Sequence, residues 1–267
     1  MNIIIPMAGA GSRFTQKGYS LHKPILPITS RHNLLSIPMV VEAVRDLPID
    51  LNDINTCLLF IMREFHMVDE IDKVLLEYFP RAKFIIIDNL TAGQASTCLY
   101  AREYFDTNKP LMIAACDNGM DLPDEGFLKA SENFDSLIFT FRGNDAVKEK
   151  PEAYGWVRTN KNAVKSVSIK KKISDNPTDD HAIVGTFWFR RGSDFFKSVD
   201  QMIEKDDRIN GEFYVDQVFK YLLNNKQNIG ILEVDKYLCW GTPKDYEAYE
   251  ATIEYWSKYI LNEKWAK

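Results

Sequence analysis

Residues 2–7, Asn-Ile-Ile-Ile-Pro-Met, run straight into Ala8-Gly9-Ala10-Gly11-Ser12-Arg13, and no other stretch constrains this chain as strongly. A run this short and this apolar predicts a buried strand, and the strand discharges into a glycine loop. Gly9 and Gly11 reach backbone angles that a Cβ penalises, so successive N–H groups can turn inward and form a nest for an anion. Arg13 sets a guanidinium beside that nest, and Lys23 adds a second cation on a backbone stiffened by Pro24. The pattern suits a polyphosphate clamp; taken alone, the loop also reads as a plain tight turn. No G-x-x-x-x-G-K-[ST] is present, and Phe14 stands where G-x-G-x-x-G needs its third glycine, which sets aside ATPase and dinucleotide readings.

Residues 7–14 with Lys23-Pro24 resemble the signature of nucleoside-diphosphate-sugar pyrophosphorylases, roughly (L/M)-A-(G/A)-G-x-G-(S/T)-R-(L/F) followed by K-P. These are nucleotidyltransferases with a GT-A-like α/β fold. The resemblance implies that Ala8, Gly9, Ala10, Gly11 and Ser12 cradle a nucleotide and that Arg13 and Lys23 are the catalytic cations.

The chain has 267 residues, 45% of them hydrophobic, enough for one large α/β domain. No stretch approaches a membrane span and the apolar N-terminus lacks a basic leader, so a soluble cytoplasmic protein is expected. The four cysteines, Cys57, Cys98, Cys116 and Cys239, lack paired metal spacing and read as reduced core residues. A net charge of −5 argues against nucleic acid as a partner.

After the loop, residues 34–47 have helical spacing with Pro38 near the first turn, 57–62 form an apolar strand, 64–79 an amphipathic helix, and 84–88 a third strand. This alternation predicts a mostly parallel, Rossmann-like sheet with helices on both faces and ligands at the carboxyl ends of its strands. Residues 110–116 form another buried strand and hold Asp117 rigidly at that end. A carboxylate beside a triphosphate calls for Mg²⁺, or Mn²⁺, which one or two carboxylates plus phosphate oxygens satisfy; a turn capped by Asp117 is the plainer alternative. In the family the equivalent aspartate holds the metal, and a T-x-G-x-A segment, matched here by Thr91, Gly93, Gln94 and Ala95, approaches the nucleobase.

Residues 121–133 read as a helix, 136–142 as a strand and 143–151 as a mobile loop. Segments 151–157, 164–173 and 182–189 alternate in period two and predict a smaller antiparallel β subdomain. The expected organisation is one catalytic domain with a nucleotide half (1–142), an acceptor half (143–242) and a C-terminal helix (243–267).

By the family's order, Tyr154, Gly155, Lys172 and Gly185 carry over as acceptor-binding residues. Two departures stand out. Lys171 replaces the usual sugar-binding glutamate and suggests an acceptor with extra negative charge, while Lys170 reads as solvated. Cys239 replaces a second metal-binding aspartate, leaving Asp216 or Glu212 as substitutes beside Asp117, or Asp117 with phosphates alone; a reduced thiol is a poor Mg²⁺ ligand. Aromatic residues at helical spacing in 245–261 suit core packing or a homo-oligomer surface.

The reading is a nucleotidylyltransferase that joins an NTP to a phosphorylated acceptor, most simply a sugar 1-phosphate for surface polysaccharide or capsule precursors, and releases pyrophosphate. Alternatives are a cytidylyltransferase for a non-sugar phosphate and, in another class, a glycosyltransferase or regulatory paralogue on the same fold. A glycosyltransferase lacks the R…K-P clamp and needs D-x-D, whereas Asp117 is followed by Asn118-Gly119; a regulatory paralogue would lose Arg13 or Asp117. The base and the acceptor are not written in these motifs.

Overall fold

In the computed structural model, which describes residues 1–265, strand β1 (Asn2–Pro6) is buried along its whole length. Both its edges are paired, and both pairings are parallel, to β4 (Cys57–Arg63) and to β6 (Leu111–Ile113). Side chains alternate across the sheet: Ile3, Ile5, Phe60 and Met112 enter one core, and Ile4, Leu59, Ile61 and Ile113 the other. A strand with apolar residues on both faces needs cover on both, which is why residues 2–7 read as one continuous apolar run.

Between these strands, β2 (Pro27–Thr29) and β3 (Ser36–Pro38) form a small antiparallel ribbon. The helix expected over 34–47 therefore spans only Met39–Arg45, because residues 36–38 are committed to the ribbon. The helix expected over 64–79 is interrupted: a 3₁₀ stretch Glu64–Asp69 ends at Glu70 with φ 50°, and Ile71–Tyr78 follows. Strand β5 (Lys83–Ile87) then adds beside β4 in parallel.

The rest of the chain departs from a mostly parallel sheet. After β7 (Asn118–Asp121) come β8 (Ser136–Phe141), β9 (Gly155–Asn160), β10 (Ala163–Ile169), β11 (His181–Phe189), β12 (Ile229–Glu233) and β13 (Lys236–Cys239). Nine strands form one mixed sheet in the order β5-β4-β1-β6-β11-β8-β12-β10-β9. Strand β11 enters between β6 and β8 antiparallel to both, so the strands expected in a separate subdomain belong to the main sheet. The sheet is mixed because β11 lies antiparallel to β6, β8 and β9, and β9 to β10, while β8 and β12 run parallel.

Strand β11 carries a register shift between Ile183 and Phe187 against β8, and Gly185, at φ 101°, lies within it. Such bulges bend a strand next to a site. The separate pair β7–β13 sets Cys239 opposite Asn118, and Trp240 N–H bonds to the Asp117 carbonyl at 3.0 Å. Two segments distant in sequence are thereby clamped at the carboxyl end of β6.

Residues 143–151, expected as a mobile loop, contain a short helix Ala146–Glu149. The last helix, Pro243–Trp265, docks through Tyr246 on the Pro27 carbonyl (2.6 Å) and Tyr249 on that of Thr29 (2.8 Å). The aromatic stripe thus divides, with Tyr246 and Tyr249 packing against the core while Tyr255, Trp256 and Tyr259 are exposed. Residues 266–267 of the expected C-terminal helix lie outside the described residues. Among the described residues no helix is long and apolar enough to cross a membrane.

Candidate active site

A cavity opens at the carboxyl ends of β1, β4 and β6, lined by Gly9, Ala10 and Gly11 and by Lys23, Gln94 and Asp117. A second adjoins it, lined by Arg13, Tyr154, Gly155, Lys170, Gly185 and Asp216 among others. Lys23, Gln94, Ala115 and Asp117 line both, so the two are halves of one cleft. Of the glycine-loop residues, Ala8 is buried beneath the cleft and Ser12 lines neither half. Gly11, at φ 61°, opens the short helix Ser12–Gln16.

Lys23 sits in a 3₁₀ turn, Lys23–Ile25, whose Pro24 is buried. Its Nζ is ion-paired to Asp117 Oδ2, donates to the Gly241 carbonyl at 3.2 Å and lies 5.6 Å from the Phe14 ring centre. Burial works against the ammonium, but Asp117 beside it more than offsets this and holds its pKa above the usual lysine value. The site thus keeps a charged lysine at the seam of the two halves. Arg13 is exposed and faces the acceptor half.

The segment Thr91–Ala95 is held by backbone bonds to a distant strand of chain: Phe213 N–H to the Ala92 carbonyl (2.8 Å) and Ala95 N–H to the Phe213 carbonyl (3.0 Å). A Cβ on Gly93, which has φ 118°, would lie 2.6 Å from both the N and the O of Phe213, so the close approach admits only glycine. Thr91 spends its hydroxyl on the Gly93 carbonyl (3.1 Å) and Thr97 (2.6 Å). Gln94 is the member of this segment that reaches the cleft, while Thr91, Gly93 and Ala95 shape it from behind.

The Asp117 side chain retains 30% exposure, enough to present an oxygen to the cleft. A hard carboxylate of this kind, open to solvent, fits a Mg²⁺ ion that draws its other ligands from phosphate and water. Cys239 does not add to the set: burial pushes its thiol up to about 12, and Sγ–H turns to Asp245 Oδ2 at 3.6 Å. Among the described residues, three potential ligand atoms come within 4.8 Å of one another only at His32, Glu42 and Asp46. Arg31 bridges Glu42, Asp46 and Asp121 there, a structural ion network. Asp216 and Glu212, the expected substitutes, line the acceptor half and form no such trio with Asp117.

The lysine triplet is arranged differently from expectation. Strand β10 ends at Ile169, and Lys170 takes φ 58° while its N–H bonds to the Tyr154 carbonyl at 3.1 Å. This turn breaks the strand alternation before Lys171. Lys170 consequently enters the cleft, its Nζ donating to the Ala153 carbonyl (2.6 Å) and lying 5.3 Å from the Tyr214 ring centre. Lys171 and Lys172 are exposed outside it, Lys172 paired with Asp175 at 3.1 Å. Burial lowers the pKa of Lys170, with Asp216 and Glu212 opposing.

Asp216 lies under the acceptor half with Oδ1 buried and unpartnered. Burial raises its pKa to about 6, against the pull of Lys170. A Cβ at Gly155 would collide with Asp216 Oδ2, so the bare backbone there makes room for the carboxylate. Tyr154, also cleft-lining, has its pKa raised by burial and stays a neutral hydroxyl.

Sequence reasoning missed Lys170, Tyr214 and Asp245 in the acceptor half and His22, Phe65 and His66 in the nucleotide half. His22, preceding the Lys-Pro pair, and Lys170, in the lysine triplet, were within reach of a motif.

No protein-family model matches the chain, and no curated protein does. Solved structures match at full length. A nucleoside-diphosphate-sugar pyrophosphorylase from Vibrio cholerae RC9 is 19% identical, with TM-score 0.74 over 94% of this chain and 100% of that one. The inositol-1-phosphate CTP transferase from T. maritima is 14% identical, with TM-score 0.66 over 95% and 96%. HddC from Yersinia pseudotuberculosis, complexed with GMP-PN, is 16% identical, with TM-score 0.62 over 94% and 98%. What is shared at these identities is the fold.

Proposed function

We propose that this protein is a pyrophosphate-releasing nucleotidyltransferase that couples an NTP to a phosphorylated acceptor, with a sugar 1-phosphate as the simplest acceptor. The observation that carries the reading is the two-part cleft whose seam is the Lys23–Asp117 pair, with the glycine loop on one side and Lys170 and Arg13 on the other. The names of the fold neighbours support it, since they include a nucleoside-diphosphate-sugar pyrophosphorylase and a CTP transferase.

In this mechanism an acceptor phosphate oxygen attacks the α-phosphorus in line; the new P–O bond forms as the bond to the β-phosphate oxygen breaks, and pyrophosphate leaves. The attacking phosphate is already anionic at neutral pH, so no protein base is required. Lys23 neutralises charge at the junction of donor and acceptor, Arg13 and Lys170 hold the acceptor phosphate, and the glycine-loop amides hold the triphosphate. Asp117 would hold a divalent ion, which supplies further charge neutralisation on the phosphates. Gln94, between the halves, is placed to orient the nucleotide. Acceptor contacts are assigned to Lys170 in place of Lys171 and Lys172, because only Lys170 of the three lines the cleft. The product would serve surface polysaccharide or capsule precursor synthesis in the cytoplasm.

A second reading, cytidylyl transfer to a non-sugar polyol phosphate, draws on the likeness to the inositol-1-phosphate CTP transferase. One assay tests both: pyrophosphate release with each of the four NTPs against phosphorylated sugars and polyols. Turnover with one NTP and a sugar 1-phosphate is the expected result. CTP with an inositol phosphate would select the second reading, and no pyrophosphate release with any NTP and acceptor would overturn both.

A further inference from the structure

The nucleotide half contains an imidazole that the mechanism above leaves unused. His22 lines the same cavity as Gly9, Ala10 and Gly11 and immediately precedes Lys23. Asp69, at the end of the Glu64–Asp69 stretch after β4, accepts from the His22 backbone N–H at 3.1 Å and lies 2.5 Å from ring Nδ1 with the same Oδ2. A carboxylate at Nδ1 fixes the proton there, so Nε2 becomes a donor when the ring is protonated. Among the described residues Nε2 has no protein partner.

The ring is held on its other sides as well. Phe65 lies 4.9 Å away by ring centres and His66 lies edge-on at 5.3 Å. His66 accepts the Arg63 N–H at Nδ1 (3.1 Å) and is buried, so it stays neutral beside His22. The charged and titratable groups around His22 are therefore Asp69 and His66 from the 3₁₀ stretch, Arg63 over Phe65, and Lys23 next in the chain. Lys23 in turn approaches the glycine loop, its Cβ only 3.8 Å from where a Cβ on Gly11 would stand.

We propose that His22, backed by Asp69, is a side-chain donor to the pyrophosphate portion of the nucleotide, binding the leaving group beside the glycine loop and Lys23. This rests on the nucleotidyltransferase reading and deepens it by assigning a residue to the leaving group. Lys23 is already paired with Asp117, and Arg13 faces the acceptor half, so the triphosphate tail otherwise meets mainly backbone amides on this wall. A carboxylate-backed histidine supplies the missing directed donor.

The test is calorimetric binding of inorganic pyrophosphate, the four NTPs and the four unphosphorylated nucleosides to wild type, His22→Ala, His22→Gln and Asp69→Asn. The expected result is pyrophosphate and NTP affinity about tenfold weaker in His22→Ala, with His22→Gln intermediate and nucleoside affinity unchanged. Asp69→Asn should move the same way by less, with thermal melting confirming that each variant is folded. Equal pyrophosphate affinity in wild type and His22→Ala, with NTPs still bound, would overturn the inference and leave the nucleotidyltransferase reading standing. Weakened nucleoside binding would place the ring on the base instead, also overturning it. A wild type that binds neither NTP nor pyrophosphate would remove both.

Discussion

The two halves of the cleft are made of different materials. The nucleotide half takes part of its wall from backbone and small residues, Gly9, Ala10, Gly11 and Ala115, at the ends of parallel strands whose positions the core dictates, and His22, Phe65, His66 and Gln94 complete the lining. The acceptor half is walled by charged and aromatic side chains, Arg13, Lys170, Tyr154, Tyr214, Asp216 and Asp245, delivered by hairpins, a bulge and a helix start. A backbone wall binds what all its ligands share, the phosphates; a side-chain wall can be re-specified residue by residue. On the proposed function, specificity for the acceptor would then belong to the side-chain wall.

The largest effect is expected at the seam. Asp117→Asn keeps the shape and loses the charge that pairs with Lys23, and turnover should fall about 10²–10³-fold, as should that of Lys23→Ala. Steady-state kinetics with and without EDTA checks this, and near-wild-type turnover of a folded Asp117→Asn would show that the seam is not catalytic.

Gly93→Ala asks whether the halves are joined through backbone. The new Cβ would meet Phe213 N and O at 2.6 Å, and the residue would stand at φ 118°. A loss of about 3 kcal/mol or more in chemical denaturation is expected, from overlap with immovable backbone plus strain. A melting temperature equal to wild type would mean that the Thr91–Ala95 segment and Phe213 separate freely.

Asp216→Asn probes the acceptor wall by pH. The folded-state pKa of about 6 lies above the unfolded value of 3.8, so the native state binds the extra proton between them. The contribution of Asp216 is most favourable below about pH 4 and is lost as pH rises through 6. The asparagine variant should therefore gain on wild type by about 2–3 kcal/mol at pH 7.5, and the gain should vanish toward pH 4. A difference independent of pH would indicate a carboxylate ionised throughout.

The finest distinction is between neighbouring lysines. Lys170→Ala should raise the KM of the acceptor about tenfold with little change for the NTP, the value of one charged contact. Lys171→Glu, outside the cleft, should leave acceptor preference within about twofold. If Lys170→Ala weakened both substrates equally, the division into halves would not hold.

Much of the nucleotide half was legible because its parts are local. An apolar run sufficient for a two-faced buried strand, a glycine loop next to it and an aspartate at the end of another buried strand all lie within short windows, and burial fixes where strand ends point. Gln94 and Lys23 followed from motifs of the same kind. The helix expected over 121–133 starts only at Gly126, because Asn118–Asp121 pair with β13 across the chain, which was not visible in them.

Other features were settled only by the tertiary structure. Whether Lys170 or Lys171 enters the cleft depends on one residue adopting φ 58° as β10 turns back to bond Tyr154, and a single change of backbone region reverses which side chain points inward. The sheet is mixed because β11 inserts between β6 and β8, a choice among strand pairings that periodicity does not record. His22 finds Asp69 across 47 residues. The sequence by itself determined the strand, the loop and the charged residues that chemistry needs, since these depend on burial and backbone freedom within a few residues; the folded chain decided which distant side chains share the cleft, since that depends on pairings whose partners lie far apart.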